Sequence, residues 1–118
     1  MSSGNPFESD TPERREQVRR PLRVRLRVGA GGGETEGRAT DASMTGMGFT
    51  TEVNLRPGSI CTLSFLLPFK DGSSSRVRVE VAVSYCLYSS TAGTFRAGGQ
   101  FQRPSAALED ALLRYLTE

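Results

Sequence analysis

The sequence predicts a mainly β domain, a six-stranded antiparallel β-barrel closed by a C-terminal α-helix. Three observations predict it. Short segments with two-residue apolar alternation recur along the chain, clusters of Gly, Pro, Asp and Ser separate them, and one stretch near the end changes to helical spacing. With 118 residues the chain has room for one core. A chain of this size buries somewhat over about 60% of the surface its unfolded form exposes.

The N-terminal residues 1–13 are polar and acidic without apolar periodicity, which predicts a disordered tail. Residues 14–21 form an arginine-rich segment, residues 22–103 the barrel and residues 104–117 the helix. In residues 22–28, Leu22, Val24, Leu26 and Val28 alternate with Arg23, Arg25 and Arg27, the pattern of a half-buried strand. A glycine-rich connection over residues 29–33 comes next, then a second strand over residues 36–40. After a turn over residues 41–46, a third strand carries Met47, Phe49, Thr51 and Val53 inward.

Pro57 and Gly58 mark another turn. A fourth strand over residues 60–67 points Cys61, Leu63, Phe65 and Leu67 to one side, and residues 70–75 make a polar hairpin tip. The long fifth strand puts Val77, Val79, Val81, Val83 and Tyr85 inside, with Arg78, Glu80, Ala82, Ser84 and Cys86 outside. This parity makes Cys61 a core residue, leaves Cys86 partly exposed, and argues against a disulfide between them. After a turn over residues 89–93, the sixth strand carries Phe95, Ala97, Gly99 and Phe101. Ser105 caps the helix, whose Leu108, Ala111, Leu112 and Tyr115 share one face.

Charge is nearly balanced, 15 Lys plus Arg against 13 Asp plus Glu, so net charge does not argue for nucleic acid. Its distribution is more informative: Arg14, Arg15, Arg19, Arg20, Arg23, Arg25 and Arg27 fall within fourteen residues, while Lys70 is the only lysine. The chain has no His, and its two cysteines are not spaced as ligands. That removes the usual general base and any Cys/His metal set, so the expectation is a protein that is not an enzyme, without cofactor or metal. No signal-peptide pattern opens the sequence, and its longest apolar run is far shorter than the roughly 20 residues a bilayer needs. The expected location is the cytoplasm, without membrane insertion.

Two small constellations carry the candidate chemistry. Arginine offers a planar fork of donors that grips phosphate, or the O6/N7 edge of guanine, with two bonds. Arg15 and Arg19, four apart at the barrel entrance, fit a clamp for a phosphorylated purine; the plainer reading is a solvated basic arm. Asp41, Ser43 and Gly46 form a tight turn in which Asp41 can accept from guanine N–H groups, Ser43 adds a hydroxyl and Gly46 lets a ligand approach the backbone. In the plainer reading Asp41 and Ser43 merely bond the turn and Gly46 supplies a positive φ.

The pair Arg15-x-x-x-Arg19, followed by Asp41-x-Ser43-x-x-Gly46 in this barrel pattern, resembles the PilZ domain family of bacterial cyclic di-GMP receptors. The resemblance covers residues 14–116, including Pro57-Gly58, Leu66-Leu67-Pro68, Gly98-Gly99-Gln100-Phe101 and the closing helix. It implies a split site. Arg15 and Arg19 would hold phosphates and guanine from the N-terminal segment, Asp41 and Ser43 a guanine edge, and Arg14 the extra guanine of an intercalated ligand dimer. Arg20 and Arg23 are peripheral candidates, and Arg25 and Arg27 read as a solvated face. Where the family often carries Trp, this chain has Tyr85, read as core filling and excluded from the site.

The implied function is a receptor or adaptor. Cyclic di-GMP would change the conformation of the N-terminal segment and signal to a separate protein effector in motility, biofilm or surface behaviour, since the chain has no output module of its own. Two alternatives remain: a PilZ-like interaction module that binds no nucleotide, and a small barrel binding single-stranded nucleic acid. The second is disfavoured because the Arg23, Arg25, Arg27 face has no interleaved aromatic.

Overall fold

Apolar–polar alternation builds most of the protein, and where it breaks the chain changes direction. A computed structural model describes residues 18–118; the expected tail over residues 1–13 lies outside the described residues, as do Arg14 and Arg15. The strands are β1 (Arg20–Pro21), β2 (Arg25–Ala30), β3 (Gly33–Ala42), β4 (Gly46–Thr51), β5 (Ile60–Pro68), β6 (Ser74–Ser89) and β7 (Thr94–Gln102), and the helix α1 (Ala106–Thr117) closes the chain. All pairings are antiparallel. Strands β2, β3, β4, β7, β6 and β5 form a closed six-stranded ring, and β1 is an additional short strand on β3. The expected barrel with a terminal helix is the observed fold.

The first expected strand is split. From the Pro21–Asp41 pair to the Arg25–Arg38 pair the chain takes four steps against three on β3, so one residue is extra. The Leu22 amide still donates to Thr40 O at 3.0 Å, and Val24 O accepts from the Ala39 amide at 2.9 Å. Leu22, Leu26 and Val28 are nevertheless all buried, as their alternation requires.

The connection expected over residues 29–33 shrinks to Gly31 and Gly32. Gly29 and Ala30 pair with Glu34 and Gly33, and the two tip residues have φ of 60° and 83°. Two left-handed residues make a hairpin turn whose twist matches its strands, and glycine adopts them at least cost. Strand β3 runs beyond the expected residues 36–40 because Thr35, Gly37 and Ala39 supply its inner side, a pattern too weakly apolar to stand out.

Val53 does not continue β4 inward and is 42% exposed. The strand ends at buried Thr51, whose Oγ1 accepts from the Val53 amide at 3.3 Å and so bends the chain outward. In β5 and the first part of β6 the expected inward residues are buried as placed. The parity of β6 then changes. Val83 pairs with Gly99 and Tyr85 with Gly98, so Ser84 is extra and β6 carries a bulge. Cys86 is therefore turned toward the core, contrary to the expected outward position, and its Sγ accepts from the Leu55 amide at 3.3 Å. The bulge lies where a turn docks: the Gly58 amide donates to Val83 O at 2.7 Å and the Val83 amide to Ser59 O at 2.9 Å.

Helix α1 starts where Ser105 Oγ accepts from the Leu108 amide at 3.1 Å. Its buried Leu108, Leu112 and Tyr115 pack on the barrel. Arg114 ties it to the β5–β6 hairpin tip, stacking 3.9 Å from the Phe69 ring and pairing with Asp71 at 3.0 Å. Asp71 is held below the usual carboxylate range, first by the Ser73 hydroxyl and amide and then by Arg114. Tyr115 does the same for the N-terminal side: its hydroxyl donates to Pro21 O at 2.7 Å, and the Arg20 guanidinium lies 4.3 Å over its ring.

Both cysteines are free, and burial pushes the Cys61 thiol up to about 11. Since the thiolate is the reactive form, Cys61 in the folded protein should react far more slowly with Ellman's reagent at pH 8 than in denaturant. Equal rates in the two states would contradict this burial. Gly46 is not in the left-handed region; a Cβ there would collide with the Gly99 carbonyl of the neighbouring strand. Gly46→Ala should therefore cost about 1–3 kcal/mol, the usual range for overpacking, and lower the midpoint of thermal denaturation.

Candidate functional site

One cross-strand row assembles the site. Pro21 of β1 pairs with Asp41 of β3, Asp41 with Gly48 of β4, Gly48 with Gly98 of β7, and Gly98 with Tyr85 of β6. A bulge stands at each end of the glycine pair. In β3, Ala39 faces Phe49 and Asp41 faces Gly48, which leaves Thr40 extra, just as Ser84 is extra in β6. An extra residue sends two successive side chains to the same side of a sheet. Both Asp41 and Tyr85 thereby turn outward, although strict alternation from buried Ala39 and Val83 would have placed them in the core.

The two glycines between them form a floor without side chains. A Cβ on Gly98 would stand 2.6 Å from Tyr85 Cε1, and one on Gly48 would stand 2.8 Å from Thr40 Oγ1 and 3.0 Å from Asp41 Oδ1. The resulting cleft, of about 290 Å³, is lined by Arg19, Asp41, Tyr85 and Gln100 around Gly48 and Gly98. A flat ring can reach the backbone here, flanked by a carboxylate, a guanidinium and an aromatic ring.

Arg19 Nη1 donates to Asp41 Oδ1 at 2.8 Å, and the Gly48 amide donates to the same oxygen at 3.0 Å. The partners are 51% and 37% exposed. An ion pair this open contributes about 0–1 kcal/mol, so a ligand can part it at little cost.

The other sequence-predicted residues take different places. Ser43 is buried and its Oγ accepts from the Thr45 and Gly46 amides, each at 3.2 Å. The Ser43 amide donates to Gly46 O at 2.8 Å, and Thr45 O accepts from the Phe101 amide at 2.9 Å, which fixes the turn to β7. Ser43 and Gly46 thus shape the turn that carries the cleft. Arg20 leads away from the cleft, donating through Nη1 to Tyr115 O. Arg23 is exposed and does not line the cleft.

Tyr85 lines the cleft at 46% exposure, which corrects its reading as core filling. One extra residue in a long strand reverses all later parity, and the alternation of β6 gives no sign of it. The signal available in the sequence was the Gly98-Gly99 pair inside a strand, since glycine there often marks a bulge or a close approach. Gly48 and Gly98 were missed for the same reason.

Among the described residues no group of three His, Cys, Asp or Glu side chains is placed to hold a metal, and no helix is long and apolar enough to cross a membrane. No curated protein sequence matches the chain significantly. Among solved structures, the chain resembles the Bacillus subtilis inhibitor of motility MotI/DgrA with a TM-score of 0.75 at 15% identity, covering 86% of this chain and 49% of that one. The chain therefore spans about half of that protein's length. It also resembles the PilZ domain of YcgR from Escherichia coli, solved with c-di-GMP, at a TM-score of 0.65 and 18% identity over 88% and 89% of the two chains. The PilZ domain of CeSA from a cellulose-synthesizing bacterium is similar at 0.57 and 13%, over 85% and 95%. At these identities the structures speak for the fold. The sequence itself matches the PilZ domain over residues 13–118, nearly its whole length, and on that match the chain belongs to the PilZ domain family.

Proposed function

We propose that this chain is a cyclic di-GMP receptor that takes a guanine of the ligand into the cleft between Asp41 and Tyr85. The observation that carries the proposal is the Arg19–Asp41 contact over the glycine floor, which joins the end of the arginine segment to the Asp41-x-Ser43-x-x-Gly46 turn. Neighbours of known structure support it: the YcgR PilZ domain carries c-di-GMP.

The chemistry rests on the groups present. Asp41 accepts from the N1 and N2 donors of guanine, while Arg19 turns its fork to the O6/N7 edge or to a phosphate. The base lies on Gly48 and Gly98, with the Tyr85 ring as a side wall. The cleft is at the lower end of the roughly 300–1,000 Å³ of small-molecule pockets, so it holds one part of a cyclic dinucleotide. Arg14 and Arg15 then close on the rest, Arg15 toward a phosphate and Arg14 toward the second guanine of a stacked dimer. Ser43 contributes through the turn it holds.

Any backbone residue that binding orders costs about 1–2 kcal/mol. Charge-assisted hydrogen bonds at about 1.5–3 kcal/mol each offset that cost. The ordered segment presents a new surface to a separate protein effector, in the control of motility or surface behaviour. PilZ domains are ligand-binding receptor domains, and no catalytic step is assigned to this one.

Isothermal titration of the full chain with cyclic di-GMP tests the proposal. Replacing Arg15 and Arg19 together by Ala should abolish measurable binding while the melting curve stays cooperative; undiminished affinity would refute the site. Asp41→Ala should lower affinity at least about tenfold, equivalent to about 1.4 kcal/mol, with the barrel intact. Tyr85→Ala should weaken binding by a smaller factor, about three- to tenfold, as expected when an aromatic contact of about 0.5–1.5 kcal/mol is removed. A chain that gives no heat with cyclic di-GMP at all would instead be an interaction module without nucleotide.

A further inference from the structure

A second concavity, of about 780 Å³, lies apart from the cleft and shares no lining residue with it. It lies on β2, β5 and β6, and its polar rim is arginine: Arg25 and Arg27 from β2, Arg76 and Arg78 from β6. Register places them around the middle strand. Ser64 of β5 pairs with Arg27 on one side and Arg78 on the other, and Leu66 pairs with Arg76. The groove is mainly apolar between these charges, with Val24 on its wall and Leu66 left 50% exposed. Among the described residues only one carboxylate, Glu36, lines it.

Among the described residues, Arg27 pairs with Glu34 at 2.9 Å, outside the groove lining, while Arg25, Arg76 and Arg78 form no ion pair. Charges on an outer sheet face commonly serve solubility, and single arginines would need no other explanation. Here four guanidiniums of one sign surround an exposed leucine on three adjacent strands, which is the pattern of a surface complementary to an acidic, partly apolar partner. Phe65 lines the groove as a buried core residue, so among the described residues the groove has no exposed aromatic platform for stacked bases.

We infer that this groove is a docking surface for an acidic protein segment that carries apolar side chains between its carboxylates. Carboxylates of the partner meet Arg25, Arg76 and Arg78, which form no ion pair among the described residues, and an apolar side chain covers Leu66. The inference is independent of the nucleotide site, because none of these residues touches the cleft.

The test is fluorescence anisotropy at low salt, with the full chain titrated into a labelled peptide of repeated Glu-Glu-Leu units. Saturable binding is expected, weakened about tenfold or more in the Arg25→Glu/Arg76→Glu variant. Leu66→Ser, a change at a half-exposed position that leaves every charge in place, should weaken it less but measurably. Arg38→Glu/Arg96→Glu, which alters arginines outside the groove, should leave it unchanged. The inference is overturned by no saturable binding, by equal losses in the two charge-reversed variants, or by tighter, Arg25- and Arg76-dependent binding of oligothymidylate.

Discussion

The pairing of two glycines, Gly48 and Gly98, between two bulged strands is the constraint on which the site depends. A closed barrel of alternating residues buries one face and leaves the other to water, and its outer surface has no reason to be concave. Adding one residue in β3 and one in β6 at the same level changes that. Each bulge turns a side chain out, and the glycines opposite leave the space between those side chains empty. A Cβ on Gly98 would crowd the Tyr85 ring at 2.6 Å, and one on Gly48 would crowd Thr40 Oγ1 at 2.8 Å beside Asp41, so either side chain would have to shift something. The cleft is thus a consequence of backbone register, and Ser43 and Gly46 matter because they hold the β3–β4 turn in that register.

The same geometry gives Arg19 and Arg20 different attachments. Arg20 and Pro21 are held by Tyr115 of the closing helix, itself tied to the β5–β6 hairpin through Arg114. Arg19, one residue earlier, is held among the described residues by an exposed ion pair with Asp41. The boundary between strong and weak attachment therefore falls between Arg19 and Arg20. In the proposed receptor, ligand exchanges the weak contact and leaves the strong one in place, so the change is confined to the residues before Arg20.

Much of the fold was legible because burial enforces alternation. Leu63, Phe65 and Leu67, or Val77 to Val83, have one arrangement that hides their side chains, and Ser105 marks the helix start by its own hydrogen bond. The misreadings have a common physical cause. Tyr85 and Cys86 trace to one extra residue in β6 and the split of the first strand to another between Pro21 and Arg25, and each leaves composition and periodicity nearly unchanged while reversing or shifting the side chains after it. Val53 was misplaced because a threonine side chain ended its strand. In the candidate site, the meeting of Asp41 and Arg19 could be anticipated from their chemistry and from the resemblance that links them. Tyr85, Gly48 and Gly98 owe their places in the cleft to register, which pattern alone does not fix.

In the proposed receptor, the Asp41–Gly48–Gly98–Tyr85 row is where cyclic di-GMP meets the barrel. The most direct test is an amide-resolved nuclear magnetic resonance titration of the full chain with cyclic di-GMP. The account predicts saturable shifts concentrated at Asp41, Gly48, Tyr85 and Gly98, with the groove around Arg25 and Arg76 little changed. Saturable shifts centred on that groove, or anywhere other than the glycine row, would contradict it.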